Sequence, residues 1–153
     1  MIGMRIAAGL LAVTTLAGAT ACAADQAAAA PTPAPTATSA TPSETLTPLL
    51  QQALPDVADK TFTSAIVEFP PGARATPHRH GAALVYAYVL EGTVRSQLDD
   101  DPVTTYRQGE NWIEQPGAHH VLTENTSPTD PAKLLVVFVA NTGDKLKIDD
   151  PHS

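Results

Sequence analysis

With a single cysteine, Cys22, this chain can form no intrachain disulfide. Aromatic residues are scarce at 5%, and nine Lys and Arg are outnumbered by sixteen Asp and Glu. The net charge of −7 leaves no basic footprint for nucleic acid and none for an anionic membrane surface. Charged residues are only 16% of the chain, while apolar ones reach 43%, enough for a sizeable core in the one domain that 153 residues allow. Convincing long helical patterns are missing, no internal repeat is visible, and no nucleophile–base pair stands out, which disfavours a hydrolase.

The one long uncharged run, residues 6–19, follows Arg5 and is too short for a comfortable bilayer span. It reads as an export signal over residues 1–21. Ala19-Thr20-Ala21-Cys22 looks like a lipoprotein processing site, with Cys22 as the lipidated first mature residue. Ordinary cleavage after Ala21 or Ala23 is the other reading, since both end small-x-small triplets. Either way the protein is expected to be exported, to the cell envelope or to the periplasm or exterior, touching a membrane only through a lipid anchor. Residues 22–45 are Ala, Pro and Thr with almost no charge, a disordered spacer that cannot bury a core.

Beyond residue 45 the pattern is short strands punctuated by turns. Residues 46–54 fit either a turn or two of helix or an edge strand. Residues 60–69 alternate, with Thr61, Thr63, Ala65, Val67 and Phe69 on one side. Residues 84–90 are almost wholly apolar, as in a strand buried on both faces. That two-sided character suggests a face covered by a second copy, so a homodimer is expected. Asp99, Asp100 and Asp101 precede Pro102 and read as a solvated hairpin tip. Strands over 93–98, 103–107, 112–114, 120–124 and 133–140 complete an all-β sandwich or barrel, followed by a polar tail at 146–153.

Within that pattern His78 and His80 stand two residues apart after Pro77, which favours an extended chain. Side chains at i and i+2 of a strand share a face, so the pair is half of a metal site. The other half lies downstream, where Pro116-Gly117 turns the chain into a strand carrying His119 and His120. Strand alternation points these two opposite ways. His120 is taken as the ligand and His119 as a surface or supporting residue, although a one-residue slip would exchange them.

Gly72, His78, His80 and Gly92, then Gly109, Gly117 and His120, resemble the two motifs of the cupin superfamily, in particular small bacterial single-domain members. Asn125 falls one place late, and Gln115 precedes Pro116 where the motif has its first proline. The resemblance implies a jelly-roll β-barrel of two facing antiparallel sheets over residues 46–145. It also implies one divalent transition metal (Fe, Mn, Ni, Cu or Zn) on His78, His80 and His120, and a small-molecule ligand or substrate in the barrel mouth.

The motif glutamate is replaced by Val85. Glu124 lies on the His120 face but about 13 Å further along, a poor substitute. An all-imidazole centre with no carboxylate is therefore expected, of weaker affinity and open to anionic or chelating ligands. All-histidine sites occur in thiol dioxygenase-like cupins, so metal chemistry of an oxygenase or isomerase type stays open. A non-catalytic binding or sensory module, metal-free because of Val85, is the alternative.

Overall fold

The computed structural model describes residues 42–151, so the expected export signal, Cys22 and the spacer up to residue 41 lie outside it. The described part is built from ten strands: β1 (Thr45–Ala53), β2 (Lys60–Phe69), β3 (His78–Arg79), β4 (Leu84–Glu91), β5 (Thr93–Leu98), β6 (Thr104–Arg107), β7 (Asn111–Glu114), β8 (His119–Glu124), β9 (Ala132–Asn141) and β10 (Ile148–Asp149). They form two five-stranded antiparallel sheets, ordered β1-β2-β9-β4-β7 and β10-β3-β8-β5-β6. No helix occurs among the described residues. This is an all-β jelly roll of two sheets.

Its core follows from the alternation. In β2, Thr61, Thr63, Ala65, Val67 and Phe69 turn inward, and β9 buries Ala132, Leu134, Val136, Phe138 and Ala140 in strict period two. β4 corrects the expectation of a strand buried on both faces. Val85, Ala87 and Val89 are buried, but Leu84 is 39% exposed and Tyr86 and Tyr88 are only half-buried. A run of apolar residues cannot distinguish a two-sided strand from a one-sided strand whose outer face is merely apolar.

Of residues 46–54, all but Leu54 fall in the edge strand β1, which is exposed along its whole length. Contacts with the domain begin before residue 46: the Arg74 amide donates to the Pro42 carbonyl at 3.1 Å, and Lys147 donates to Glu44 at 2.6 Å. The other boundary moves as well. The expected polar tail from residue 146 carries β10, which pairs with β3, and Leu146 packs against the core. Its polarity belongs to side chains that turn outward or reach the site, while its backbone completes a sheet edge.

Asn125 locks the loop after β8. Its Nδ2 donates to the carbonyls of Phe69, Pro70 and Asp130 at 3.2, 3.2 and 2.7 Å, and the residue is 2% exposed. The asparagine that ends the second motif is thus structural here. Asp99 to Asp101 form the turn between β5 and β6, with Asp99 accepting the His119 amide at 3.0 Å.

Candidate metal centre

The register of the second sheet brings two histidines face to face. His78 on β3 stands directly opposite His120 on β8, and their rings lie 5.1 Å apart. His80, two residues on, shares the inward face, with its ring 4.8 Å from that of His78. The three offer nitrogens all within 4.8 Å of one another. His119 pairs with Arg79 one place along and turns away, its Nε2 2.7 Å from Asp150.

Each ring is held by its other nitrogen. His78 Nδ1 donates to the Thr76 carbonyl at 2.7 Å, and His80 Nδ1 donates to the Leu146 carbonyl. Both bonds place the proton on Nδ1 and leave Nε2 as a lone pair facing the site, the usual arrangement of a metal-binding imidazole. His120 Nε2 lies 2.8 Å from Ser96 Oγ and 2.6 Å from Thr123 Oγ1, so Nδ1 is the nitrogen left facing inward.

Burial keeps the His78 and His80 rings neutral. It drives the His78 imidazole down to about 4, with His120 and His80 beside it acting in the same direction against the Thr76 bond. His80 is also lowered, since burial outweighs the opposing pull of Glu114.

A carboxylate stands among them, contrary to the expectation drawn from Val85. Glu114 on β7 is 3% exposed, with Oε2 3.3 Å from His80 Nε2 and Oε1 3.2 Å from His120 Nδ1. Trp112 Nε1 donates to Oε1 at 3.1 Å. Burial raises the Glu114 pKa, but the neighbouring His120, His80 and Trp112 outweigh it, so the group sits below its ordinary value and is ionised. Glu124 is instead paired with Arg95 at 2.9 Å.

These residues fit a metal ion. Among the described residues, the buried side-chain polar atoms without a hydrogen-bond partner are Glu114 Oε2 and His120 Nδ1, both at this site. Such atoms are costly unless something satisfies them. Nitrogens at most 4.8 Å apart place their common centre no more than about 2.8 Å from each, against ~2.1 Å for a metal–imidazole bond, so an ion would draw the rings in by about 0.7 Å at most.

The centre opens into a cavity of about 270 Å³ with mainly apolar walls, including Val67, Phe69, Leu134, Val136 and Phe138. Its lining also includes Glu44 and Lys147, joined by the 2.6 Å ion pair. Lys147 bonds Asp149 as well, at 2.8 Å. Dry walls around a cluster of ligating atoms suit a small, partly apolar molecule that fills open positions on an ion.

The family model described as "Cupin domain" matches residues 65–138. Together with the two-sheet fold and the motif residues gathered at one centre, this places the chain in the cupin superfamily. No curated protein matches the chain closely enough to count as a relative. Solved structures do share the fold. A conserved protein with a double-stranded β-helix domain from Klebsiella pneumoniae is 21% identical with a TM-score of 0.52, over 66% of this chain and 79% of that one. The DMSP lyase DddQ from Ruegeria pomeroyi is 18% identical with a TM-score of 0.56, over 69% of this chain and 51% of that one. Oxalate decarboxylase from Bacillus subtilis is 20% identical with a TM-score of 0.51, over 60% and 24%.

Sequence reasoning missed Glu114, Glu44, Leu146 and Lys147. A signal existed for the first: Glu114 shares a strand face with Trp112, and a buried indole N–H needs an acceptor. Nothing local marked the others, whose roles come from chain ends meeting at the barrel mouth.

Proposed function

We propose that this protein binds one divalent transition metal through His78, His80 and His120 and uses it on a small molecule held in the adjoining cavity. The observation that carries this reading is the buried trio of imidazoles, two of them with Nε2 lone pairs turned to the site and the third with an Nδ1 that lacks a partner, beside the equally partnerless Glu114 Oε2. A bound ion would supply Lewis acidity, or redox chemistry if it is Fe, Mn or Cu. The chain's own residues orient the ligating rings, exclude water through the apolar walls and keep His78 and His80 unprotonated. Likeness to a DMSP lyase and an oxalate decarboxylase supports a small-molecule substrate and leaves its identity open.

Elemental analysis of natively purified protein tests this. About one metal per chain is expected, lost in His78→Ala, His80→Ala and His120→Ala and kept in His119→Ala. Protein that is metal-free and takes up none of Fe(II), Mn(II), Ni(II), Cu(II) or Zn(II) refutes it. Oxygen consumption or isomerisation of chelating small molecules then separates an enzyme from a binding module.

Two further parts of the reading concern context. Export rests on residues 1–21 and Cys22, and membrane release or failed processing of Cys22→Ser is the test for a lipid anchor. A homodimer is supported by the outer face of the first sheet, where Phe62, Leu84, Tyr86, Ile113, Leu135 and Val137 form an apolar stretch.

A further inference from the structure

We propose that Glu114 is the fourth, anionic ligand of this centre, a carboxylate carried on β7 in place of the one absent from Val85 on β4. The inference rests on the metal-binding reading above and deepens it.

The register makes the exchange possible. Val85 and Glu114 are direct partners in the β4–β7 ladder, at 0% and 3% exposure, so both point into the barrel. Directly opposed residues on one sheet face have Cβ atoms about 5 Å apart, within the reach of a glutamate side chain. A carboxylate can therefore leave one position and serve the same space from the other. Its place is taken by a small valine that leaves Glu114 room.

The hydrogen bonds then require a cation. His80 Nδ1 donates to the Leu146 carbonyl, so Nε2 presents a lone pair. That lone pair faces Glu114 Oε2 at 3.3 Å, and Oε2 has no hydrogen-bond partner. On the other side, Oε1 lies 3.2 Å from His120 Nδ1, which is likewise without one. At His80 Nε2 and Glu114 Oε2 two acceptors thus face each other in a dry interior, and they repel unless something positive lies between them. The basic groups beside the Glu114 carboxylate are the two imidazoles, not a lysine or arginine. Trp112 holds Oε1 and thereby aims Oε2 at the space between the rings. Three imidazoles and one carboxylate would leave a divalent ion a net charge of about +1, better matched to a neutral or singly charged chelating ligand than to a dianion.

The test compares wild type, Glu114→Gln, Glu114→Val and the double variant Val85→Glu/Glu114→Val, all full-length. Metal content is read by elemental analysis, affinity by chelator competition with Zn(II), and ligand field by the visible spectrum of the Co(II) form. Glu114→Gln keeps the shape and an acceptor for Trp112, so it should fold. Losing a residue that only supports a ligand costs about 10–100-fold in affinity, so losing the charged ligand itself should cost about 100-fold or more and alter the Co(II) spectrum. The double variant should regain at least about tenfold over Glu114→Val, because the carboxylate returns to the same space from β4. Affinity within about threefold of wild type in Glu114→Gln, with an unchanged spectrum, overturns the proposal and leaves the three-histidine reading intact. A folded double variant no tighter than Glu114→Val overturns the exchange between strands. Wild type that binds no metal removes the underlying reading, and this proposal with it.

Discussion

Alanine at Gly92 should damage this fold far more than alanine at Gly72, although both glycines belong to the first motif and share one backbone conformation. Gly92 has φ +73° and Gly72 φ +68°. Either substitution therefore meets the left-handed cost of about 1 kcal/mol, partly offset by a stiffer unfolded chain. The surroundings differ. Around Gly72 an added Cβ meets nothing within 4 Å, whereas at Gly92 it would lie 2.6 Å from the Pro131 carbonyl oxygen and 3.0 Å from the Ala132 Cα. Those are backbone atoms where β9 begins, and Ala132 is fully buried, so no side chain can swing aside. Forcing one methyl into such a contact adds about 1–3 kcal/mol, for a total of about 3 kcal/mol against about 1 kcal/mol or less at Gly72. For a domain of this size that is a Tm loss of roughly 10–20 °C against roughly 5 °C or less. Urea titrations and thermal melts of both metal-free variants would read the difference. Equal losses, or a Gly92→Ala protein within 1 kcal/mol of wild type, would show that β4 and β9 do not approach each other as described.

Other outcomes follow from single residues. In metal-free protein the folded His78 titrates at about 4 and the unfolded one near 6.5. The folded state thus binds fewer protons in that window, and stability is full above about pH 6.5 and falls by roughly 3 kcal/mol towards pH 4. Urea midpoints that stay flat from pH 7 to 4.5 would contradict this. Asn125→Ala should cost about 2–3 kcal/mol, because it strips a donor from three carbonyls in a buried loop; an unchanged midpoint would make the loop independent of it. Light scattering should give a dimer at micromolar concentration and a monomer for Ile113→Lys, which sets a charge on the 51% exposed outer position of β7. A wild-type monomer sinks that expectation.

The fold was legible because its determinants are local. Period-two burial in β2 and β9, Pro-Gly turns and the HxH pair each show in a few neighbouring residues. The same holds for the opposite directions of His119 and His120, since one step along a strand reverses the side chain. What stayed hidden depends on register between distant segments. Val85 reads as a lost ligand until β7 is laid beside β4 and Glu114 is found opposite. Residues 146–153 read as a polar tail until Leu146 is seen accepting from His80 and Asp150 is seen beside His119. The outer apolar face of β4 cannot be told from a buried one by composition, because Leu84 and Tyr86 suit either.

The centre joins parts of the molecule that the backbone alone does not. His78 and His120 sit on the second sheet and Glu114 on the first, so contacts between carboxylate and imidazole cross from sheet to sheet. Without a cation this crossing holds two buried atoms that lack partners, each a drain on stability of about 1–3 kcal/mol. A ligand that binds only the folded state returns stability by mass action, about 2.7 kcal/mol at a hundred times its Kd. A bound ion would give both atoms a partner and so remove this cost in the folded state alone. Well-packed leucines in the same positions would make a firmer barrel. That the chain instead buries a carboxylate among three imidazoles, each aimed by its own hydrogen bond, is a cost that folding does not require and that binding would explain.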